Sequence, residues 1–179
     1  MLCHMNNRPV ETEVPAKSLI SKKLAGANFF DSWCIVSNVL GLPALEYFIS
    51  AARKTPGWVD MCMVARNQIG RHLGLKDLGT LSGVSDSKAG KEYKPGDRVG
   101  IFTVFENTFD EALIGDKDKH LDVVLSIHRE EIPDNRVAIT ITTVVHVKNM
   151  LGHIYMLPVK PMHRLIAPVV LSNIGNSVQ

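Results

Sequence analysis

The residues of this chain that could take part in chemistry lie far apart in sequence. Asp31 interrupts an otherwise apolar run, Arg66 flanks the apolar side of a predicted helix, and His163 lies at the start of another helix. An imidazole in such a position can accept a hydrogen bond or act as a base. A buried carboxylate requires a charged or hydrogen-bonding partner. These residues could therefore form an acid/base site, or they could tie a helix to the rest of the fold.

An arginine is one candidate partner of Asp31. Arg66 and Arg164 both lie in predicted helices, and pairing with either would offset the cost of removing the Asp31 carboxylate from water. His163 and Arg164 could likewise fix the last helix to the sheet or to Asp31. Ion pairs of this kind are more often architectural than catalytic.

Large apolar side chains are numerous enough to line a pocket. Aromatic rings and seven methionines supply bulky, adaptable surface, which is typical of hydrophobic binding sites. The same side chains could instead fill a closed core. From this set we take Phe105 and Tyr155, together with Asp31, Arg66 and His163, as the candidate ligand-binding residues.

The remaining titratable residues form no recognisable catalytic motif. His128 and His146 fall on the polar faces of adjacent predicted strands and could lie near one another, but a convincing third metal ligand is missing. Glu106 and Glu111 flank a turn, where exposure to solvent is the simplest expectation. The three cysteines lack the spacing of a zinc site. We therefore expect no metal and no cofactor, and the sequence leaves open whether the protein is an enzyme.

Composition narrows the class of protein. The chain has 179 residues, 45% of them hydrophobic, which suits one domain with a full core. Its formal net charge of +2 gives no support for nucleic-acid binding. Residues 1–24 lack the apolar core of a secretory signal, and no later apolar run is long enough to span a membrane. With three isolated cysteines, these features predict a cytoplasmic protein with reduced thiols.

The apolar pattern predicts an α+β fold. Alternation with a period of two runs through residues 121–127 and 137–147, on either side of a Pro-Asp-Asn turn, and indicates an antiparallel sheet with one buried side. The other expected elements are a strand at 27–36, helices opening at Pro43 and after Gly57, a hairpin at 99–106 and 109–115, a strand at 153–159 and a helix from Pro161. This order gives a curved antiparallel sheet of about six strands packed on a C-terminal helix, with two short helices after the first strand.

Three further expectations concern the parts of the chain around this sheet. The second helix should carry one apolar stripe, made of Trp58, Met61, Cys62, Ala65, Ile69 and Leu73. Residues 1–17 are polar and aperiodic and predict an extended or disordered arm, so that residues 18–179 form the single domain. Residues 76–98 are rich in glycine and polar residues and predict a flexible loop.

Five segments between residues 27 and 170 form a recognisable set: Ala27–Asp31, Arg66–Leu75, His120–Asp122, Thr142–His146 and Pro161–Ile166. They resemble an uncharacterised bacterial domain family that also occurs fused behind Rossmann-type epimerase domains. The element order is similar to the helix-grip fold of the birch-allergen and START-like superfamily, in which a curved sheet wraps around a C-terminal helix and often encloses a ligand. The resemblance implies this fold and no activity. Unlike the fused relatives, the chain has no Gly-x-Gly-x-x-Gly turn after a strand and hence no dinucleotide site of its own.

Three functions fit these observations. The leading hypothesis is a domain that binds a small apolar molecule in a cavity between the sheet and the last helix, with Asp31, Arg66 and His163 near its mouth and residues 76–98 as a cover. The second is a cyclase, dehydratase or hydratase that uses the same cavity, with His163 as acid/base. The third, implied by the fused relatives, is a non-enzymatic accessory domain for a separate reductase or epimerase. The expected partners are a small hydrophobic molecule and either a second copy of the chain or a reductase.

Overall fold

An antiparallel sheet forms the centre of the fold. The computed structural model describes residues 8–72, 79–84 and 88–175. Within them, the strands are β1 (Val10–Glu11), β2 (Phe29–Ser37), β3 (Arg98–Val99), β4 (Phe102–Asn107), β5 (Glu111–Lys117), β6 (Leu121–Ile132) and β7 (Arg136–Val147). The α-helices are α1 (Ala44–Arg53), α2 (Gly57–His72) and α3 (Met150–Gly175). Short 3-10 helices span Leu19–Lys23 and Gly90–Glu92.

The strand order is β1-β2-β7-β6-β5-β4-β3, so that the first long strand pairs with the last. The β6–β7 hairpin keeps its register from Leu121 opposite Val147 to Ile132 opposite Arg136. Its turn contains Asp134 and Asn135 with φ values of 66° and 52°, a left-handed conformation that Asp and Asn adopt more readily than most residues. The predicted α+β class, a curved antiparallel sheet with a C-terminal helix and short helices, is confirmed.

Helices α1 and α3 cover one face of the sheet, which we call the helix face. Alternation along the strands places Trp33, Ile141 and Ile127 side by side on this face in β2, β7 and β6. Helix α3 crosses β2, and α1 packs between α3 and strands β5 and β6. The core between them contains fully buried side chains such as Leu45, and each of these stabilises the fold by about 1.5–3 kcal/mol.

The opposite face, which we call the N-terminal face, is covered by the chain that precedes β2. Strand β1 pairs with β2 at the edge of the sheet, although it lies within the arm expected at residues 1–17. The 3-10 helix that follows buries Ile20 completely against Leu113, Val124 and Val144. Both faces of the central strands are therefore covered, which explains why β6 and β7 are apolar on one side and only partly polar on the other.

The strand predicted at residues 153–159 is wrong, because this segment is the first part of α3. The Oδ1 atom of Asn149 accepts a hydrogen bond from the N–H of Gly152 at 3.1 Å, and this cap starts the helix well before Pro161. Pro158, Pro161 and Pro168 all lie inside the helix. Proline interrupts helical hydrogen bonding, and for that reason the sequence pattern favoured a later start.

The apolar stripe expected on α2 faces outward at several of its positions. Trp58 and Met61 are 44% and 72% exposed, and Ala65 is exposed as well. Helix α2 is instead held by polar side chains, as described below. Ile69 and Leu73 of the same predicted stripe lie outside the residues whose side chains the structure describes.

The predicted loop at 76–98 is described at 79–84 and 88–98. These parts include the 3-10 helix Gly90–Glu92 and the start of β3. Val84 and Tyr93 are buried in the main core. The side-chain amide of Asn107 donates hydrogen bonds to the carbonyls of Gly90 and Tyr93 at 2.9 and 2.8 Å. The described parts of the segment are thus packed against the sheet, and its expected flexibility stays a prediction.

The cysteines differ from expectation at one position. We expected reduced thiols throughout, but Cys34 in β2 forms a disulfide bond and is 2% exposed. Cys62 in α2 is a free, half-buried thiol. The cytoplasmic location, which was inferred partly from reduced thiols, stays a prediction.

Candidate functional site

A hydrogen-bonded pair, Asp31 and His163, connects β2 to α3. The Oδ1 atom of Asp31 lies 3.1 Å from Nε2 of His163, and the indole N–H of Trp33 donates to Oδ2 of Asp31 at 3.2 Å. The Asp31 side chain is 3% exposed, whereas that of His163 is 24% exposed. Both oxygens of a buried carboxylate are therefore paired, and the histidine stands between the core and solvent.

The strand and the helix bring these residues together by their own periodicities. Side chains at every second position of β2 share a face, so Phe29, Asp31 and Trp33 all lie under α3. His163 lies on the sheet-facing stripe of α3, where the ring of Phe29 meets its imidazole edge-on with centroids 5.7 Å apart. Across β7, Asp31 lies opposite Thr143, which is also buried. The pair therefore occupies the only row of the β2–β7 contact on this face with polar side chains on both strands.

A second polar pair joins α2 to α3. The Nε–H of Arg66 donates to the hydroxyl of Tyr155 at 2.8 Å, and the Arg66 guanidinium carbon lies 5.4 Å from the centre of the Tyr155 ring. Another guanidinium N–H donates to the side chain of Asn67 at 2.9 Å. Tyr155 and His163 are eight residues apart on the same side of α3, a separation of about 12 Å along the helix axis.

The candidate residues therefore fall into three places. Asp31 and His163 form one pair, Arg66 and Tyr155 form another, and Phe105 lies on the N-terminal face, where it packs with the cluster around Ile20. The pairing expected between Asp31 and Arg66 or Arg164 is wrong. Asp31 instead bonds to Trp33 and to His163. The alternative expectation, that His163 fixes the last helix to Asp31, is confirmed.

The helix face also retains apolar side chains that are only partly buried. Trp33, Val123 and Ile141 lie on three adjacent strands and pack against the main core, yet each remains half-buried. Ile166 of α3 and Phe102 of β4 share this property. Trp33 pairs with Ile141 in one row of the ladder, and Val123 lies two rows away, on the other side of the row that contains Asp31 and Thr143. Half-covered apolar side chains on either side of a polar row are a composition that suits a small-molecule site.

One known protein family matches most of the chain. A family model with the description "Protein of unknown function (DUF2867)" matches residues 23–170, which is most of the chain. The chain belongs to the DUF2867 family. No curated protein and no solved structure matches it. The matched range of this DUF2867 chain contains both polar pairs and every strand from β2 to β7.

Two pockets lie elsewhere on the DUF2867 chain. One, of about 350 Å³, is an open depression on α2 lined by Met61, Val64 and neighbouring residues. The other, of about 220 Å³, lies on the N-terminal face among Lys22, Lys23, Lys117 and His146. Neither lies between the sheet and α3. Among the described residues, no cluster of three or more His, Cys, Asp or Glu side chains could hold a metal ion, and no helix is long and apolar enough to cross a membrane.

The proximity expected for His128 and His146 is wrong. In the β6–β7 register His146 lies opposite Asp122, whereas His128 lies opposite Thr140. The two imidazoles are thus separated by six positions along the ladder, or about 20 Å. His146 contacts the carbonyl of Lys23 through Nε2 at 2.8 Å.

A buried polar cluster on the N-terminal face was missed. The Ser18 and Ser126 hydroxyls each donate to Oε1 of Glu111 at 2.5 Å, and the N–H of Leu19 donates to Oε2 at 2.9 Å. Glu111 is 5% exposed, so the expectation of an exposed hairpin carboxylate is wrong for it, while Glu106 is exposed. The sequence contains only a weak indication that Glu111 is buried, namely that it shares a strand face with the apolar Leu113. In the structure both side chains lie beneath the N-terminal segment.

A second missed group lies where α1 meets the end of β6. The Arg129 side chain is 3% exposed and bonds to Asp110 at 2.9 Å and to Glu131 at 2.7 Å. The nearby Tyr47 hydroxyl donates to the carbonyl of Val39 at 2.5 Å. Burial raises the pKa of Tyr47 above its ordinary value, and the positive charge of Arg129 offsets part of this rise. These residues have compensating partners, which is typical of an architectural role.

Proposed function

We propose that this DUF2867 domain binds a small apolar molecule between the helix face of the sheet and α3, in the manner of the START-like proteins that its sequence resembles. The observation that supports this most directly is the incomplete burial of Trp33, Val123 and Ile141 in the middle of the sheet. Central strand positions facing two helices are normally covered completely. A bound apolar molecule would complete that cover and contribute about 25 cal/mol for each Å² of apolar surface removed from water.

The two polar pairs would orient the ligand. His163 is partly exposed beside these half-buried apolar side chains, and Arg66 with Tyr155 lies about 12 Å away along α3. A ligand with one anionic end would place that end near the Arg66 guanidinium, because opposite charges attract. Its apolar body would then lie on the half-buried side chains, across the row that contains Asp31 and Thr143.

The described part of the 79–98 segment would act as a cover that moves together with α2. The Asp60 carboxylate accepts a hydrogen bond from the N–H of Leu81 at 3.0 Å and another from the Ser82 hydroxyl. The side-chain amide of Asn67 donates to the carbonyl of Gly79 at 2.9 Å. Leu81 is half-buried against the main core. Because the segment is fastened to α2, opening the site would displace both.

The test is to fill the proposed site with a larger side chain. Val123→Phe should lower the affinity for the fluorescent apolar probe 1-anilinonaphthalene-8-sulfonate about ten-fold, because the added ring occupies the space that the ligand requires. Leu40→Phe, at an exposed side chain that lines neither pocket nor the proposed site, is the control and should bind as the wild type does. Equal affinity in both variants, or no saturable binding by the wild type, would contradict the proposal.

A second candidate function is acid/base catalysis in the same place. The observation that favours it is the state of His163: Asp31 holds its Nε2 atom, while its Nδ1 atom has no hydrogen-bond partner among the described residues. A carboxylate that orients an accessible imidazole is the usual arrangement of a general base. The reaction classes that require only such a base include dehydration, hydration and cyclisation.

A variant of His163 distinguishes the catalytic hypothesis from the hypothesis that the domain only binds a ligand. Native mass spectrometry of the protein purified from its own host would identify a retained molecule, which then serves as substrate. His163→Gln keeps a hydrogen-bond donor for Asp31 but cannot act as a base. If the domain is an enzyme, this variant should lose turnover while its Tm and ligand affinity hold. If turnover persists, His163 only positions α3, and the catalytic candidate is excluded.

A further inference from the structure

Helix α3 is apolar on the side that faces away from the sheet. Its most exposed large side chains are Met150, Ile154, Leu157 and Leu165, which are 77%, 54%, 72% and 61% exposed. Their spacing places all of them on one side of the helix, and exposed Pro161 continues the same line. This outward stripe runs for about 22 Å. A helix that is apolar on both sides requires cover on both, and the sheet covers only one.

The charged side chains that α3 itself contributes beside this stripe are all positive. From Met150 to Gly175 the helix contains no aspartate and no glutamate. Its charged residues are Lys160 and Arg164, and His153 lies along the same flank. Arg164 and His153 are exposed, and Lys160 reaches back over the ring of Phe29 at 6.0 Å from its centre. The surface that would cover the stripe must therefore be apolar and tolerate or attract positive charge.

We propose that the outward stripe of α3 binds the surface of a membrane that contains anionic lipids. An apolar helix side with lysine and arginine along its flank lies in the interfacial plane of such a membrane, where the side chains enter the acyl boundary and the cations meet the headgroups. A second copy of the chain fits less well, because two identical stripes would bring their Lys160 and Arg164 side chains into each other's neighbourhood with no acid on either helix to neutralise them.

This inference is independent of the ligand proposed above, because it concerns the opposite side of α3. It has one structural requirement, that α3 stays packed on the sheet while its outward stripe is in contact with lipid. Tyr155, Val159, His163 and Val170 all lie on the sheet-facing side of the helix. Binding therefore needs no unfolding of the domain.

The experiment is sedimentation of the full chain with vesicles. We expect binding to vesicles of phosphatidylcholine and phosphatidylglycerol mixed in equal parts, and much weaker binding to pure phosphatidylcholine. Leu157→Glu should abolish binding to the mixed vesicles. Arg164→Glu should weaken it about ten-fold, and added salt should weaken wild-type binding as well. Met61→Glu is the matched control, because Met61 on α2 is as exposed as Leu157, at 72% for both.

Two results would overturn the proposal. One is a failure of the lipid test: the wild-type protein stays in the supernatant with mixed vesicles, or the Leu157→Glu variant sediments with them as fully as the wild type does. The other is a dimer in light scattering without lipid that Leu157→Glu dissociates, since a second copy would then cover the stripe. Every variant should keep the wild-type Tm, because the substituted side chains are exposed. A drop in the Tm of Leu157→Glu would be resolved with Leu165→Glu, which lies two turns further along the stripe.

Discussion

The Nε2 atom of His163 lies 3.1 Å from Oδ1 of Asp31, and this contact joins the middle of α3 to the first long strand of the sheet. Near this contact Met156 packs against Phe29, Leu121 and Val145, and the Lys160 ammonium makes a longer, solvent-exposed hydrogen bond of 3.4 Å to the carbonyl of Asn28. Apolar contacts allow a helix to slide by small amounts, whereas a hydrogen bond to a buried carboxylate fixes one position. The pair therefore sets the register of α3 on β2, whatever its further role in ligand binding.

Removing the Asp31 carboxylate should destabilise the fold. In Asp31→Ala, the Nε2 atom of His163 and the indole N–H of Trp33 lose their common partner in a buried environment. We expect the free energy of unfolding, measured by urea denaturation, to fall by roughly 1–3 kcal/mol. Glu130→Ala, at an exposed carboxylate of β6, is the control and should change it by less than about 0.5 kcal/mol. Similar small effects in both variants would mean that the Asp31 contact contributes nothing.

A methyl group at Gly152 should be strongly unfavourable. A Cβ atom there would lie 2.5 Å from the carbonyl oxygen of His120, and neither backbone can move without shifting the start of α3. Alanine normally favours a helix over glycine by about 0.5–1 kcal/mol, so a loss of stability would reverse the usual sign. We expect Gly152→Ala to lower the free energy of unfolding by about 1–3 kcal/mol.

The control for this prediction is Gly57→Ala at the start of α2. A Cβ atom at Gly57 meets no other atom within 4 Å. The two substitutions are chemically identical and both lie in the first turn of a helix. Gly57→Ala should be neutral or slightly stabilising in the same urea measurement. If Gly152→Ala behaves in the same way, the close approach to His120 does not constrain the fold.

The sheet was predictable because its two longest strands obey a simple rule. β6 and β7 face the helices with one side, so their apolar residues alternate over a long run, and the turn between them contains residues that accept positive φ. The prediction failed at residues 153–159, which were expected to form a strand and instead form part of α3. The three nearest signals conflict: Asn149 caps a helix, while Pro158 and Pro161 argue against one. Packing of this segment on β2 decides in favour of the helix. Such packing cannot be deduced from the order of residues along the chain.

The residues of the candidate site and a possible contact between His163 and Asp31 were predictable, but the arrangement of the whole site was not. Asp31 attracted attention as a carboxylate within an apolar strand, and His163 as an imidazole at a predicted helix start. Their contact depends on where α3 crosses β2, and the two residues are 132 positions apart. Glu111 was misjudged for the same reason, because its burial depends on Ser18, which comes from the other end of the chain.

The Glu111 cluster should hold the N-terminal segment on the sheet. In Glu111→Ala, the hydroxyls of Ser18 and Ser126 and the N–H of Leu19 lose their acceptor. We expect a loss of roughly 1–3 kcal/mol in the free energy of unfolding. Trypsin should also cleave faster at Lys22 and Lys23 in the native protein, because local opening of this segment becomes easier.

Glu106→Ala is the matched control for this variant, since Glu106 is an exposed glutamate on the neighbouring strand β4. Neither its stability nor its cleavage pattern should change. Glu111→Gln is an intermediate case, because the amide keeps one acceptor oxygen. An unchanged rate of cleavage in Glu111→Ala would show that Ile20 and its apolar neighbours hold the segment without help from the carboxylate.

The buried phenol of Tyr47 should make the fold sensitive to alkaline pH. Burial raises the pKa of Tyr47 above its ordinary value of 10.0, so the folded state retains a proton that the unfolded chain releases. The stability that this provides is complete below the unfolded pKa and is lost as the pH rises through the folded pKa. Tyr47→Phe removes the ionisable group and should reduce the alkaline decrease in the urea midpoint. Subtracting the ultraviolet pH titration of this variant from that of the wild type isolates the ionisation of Tyr47, and a midpoint at or below 10.0 would contradict the predicted direction.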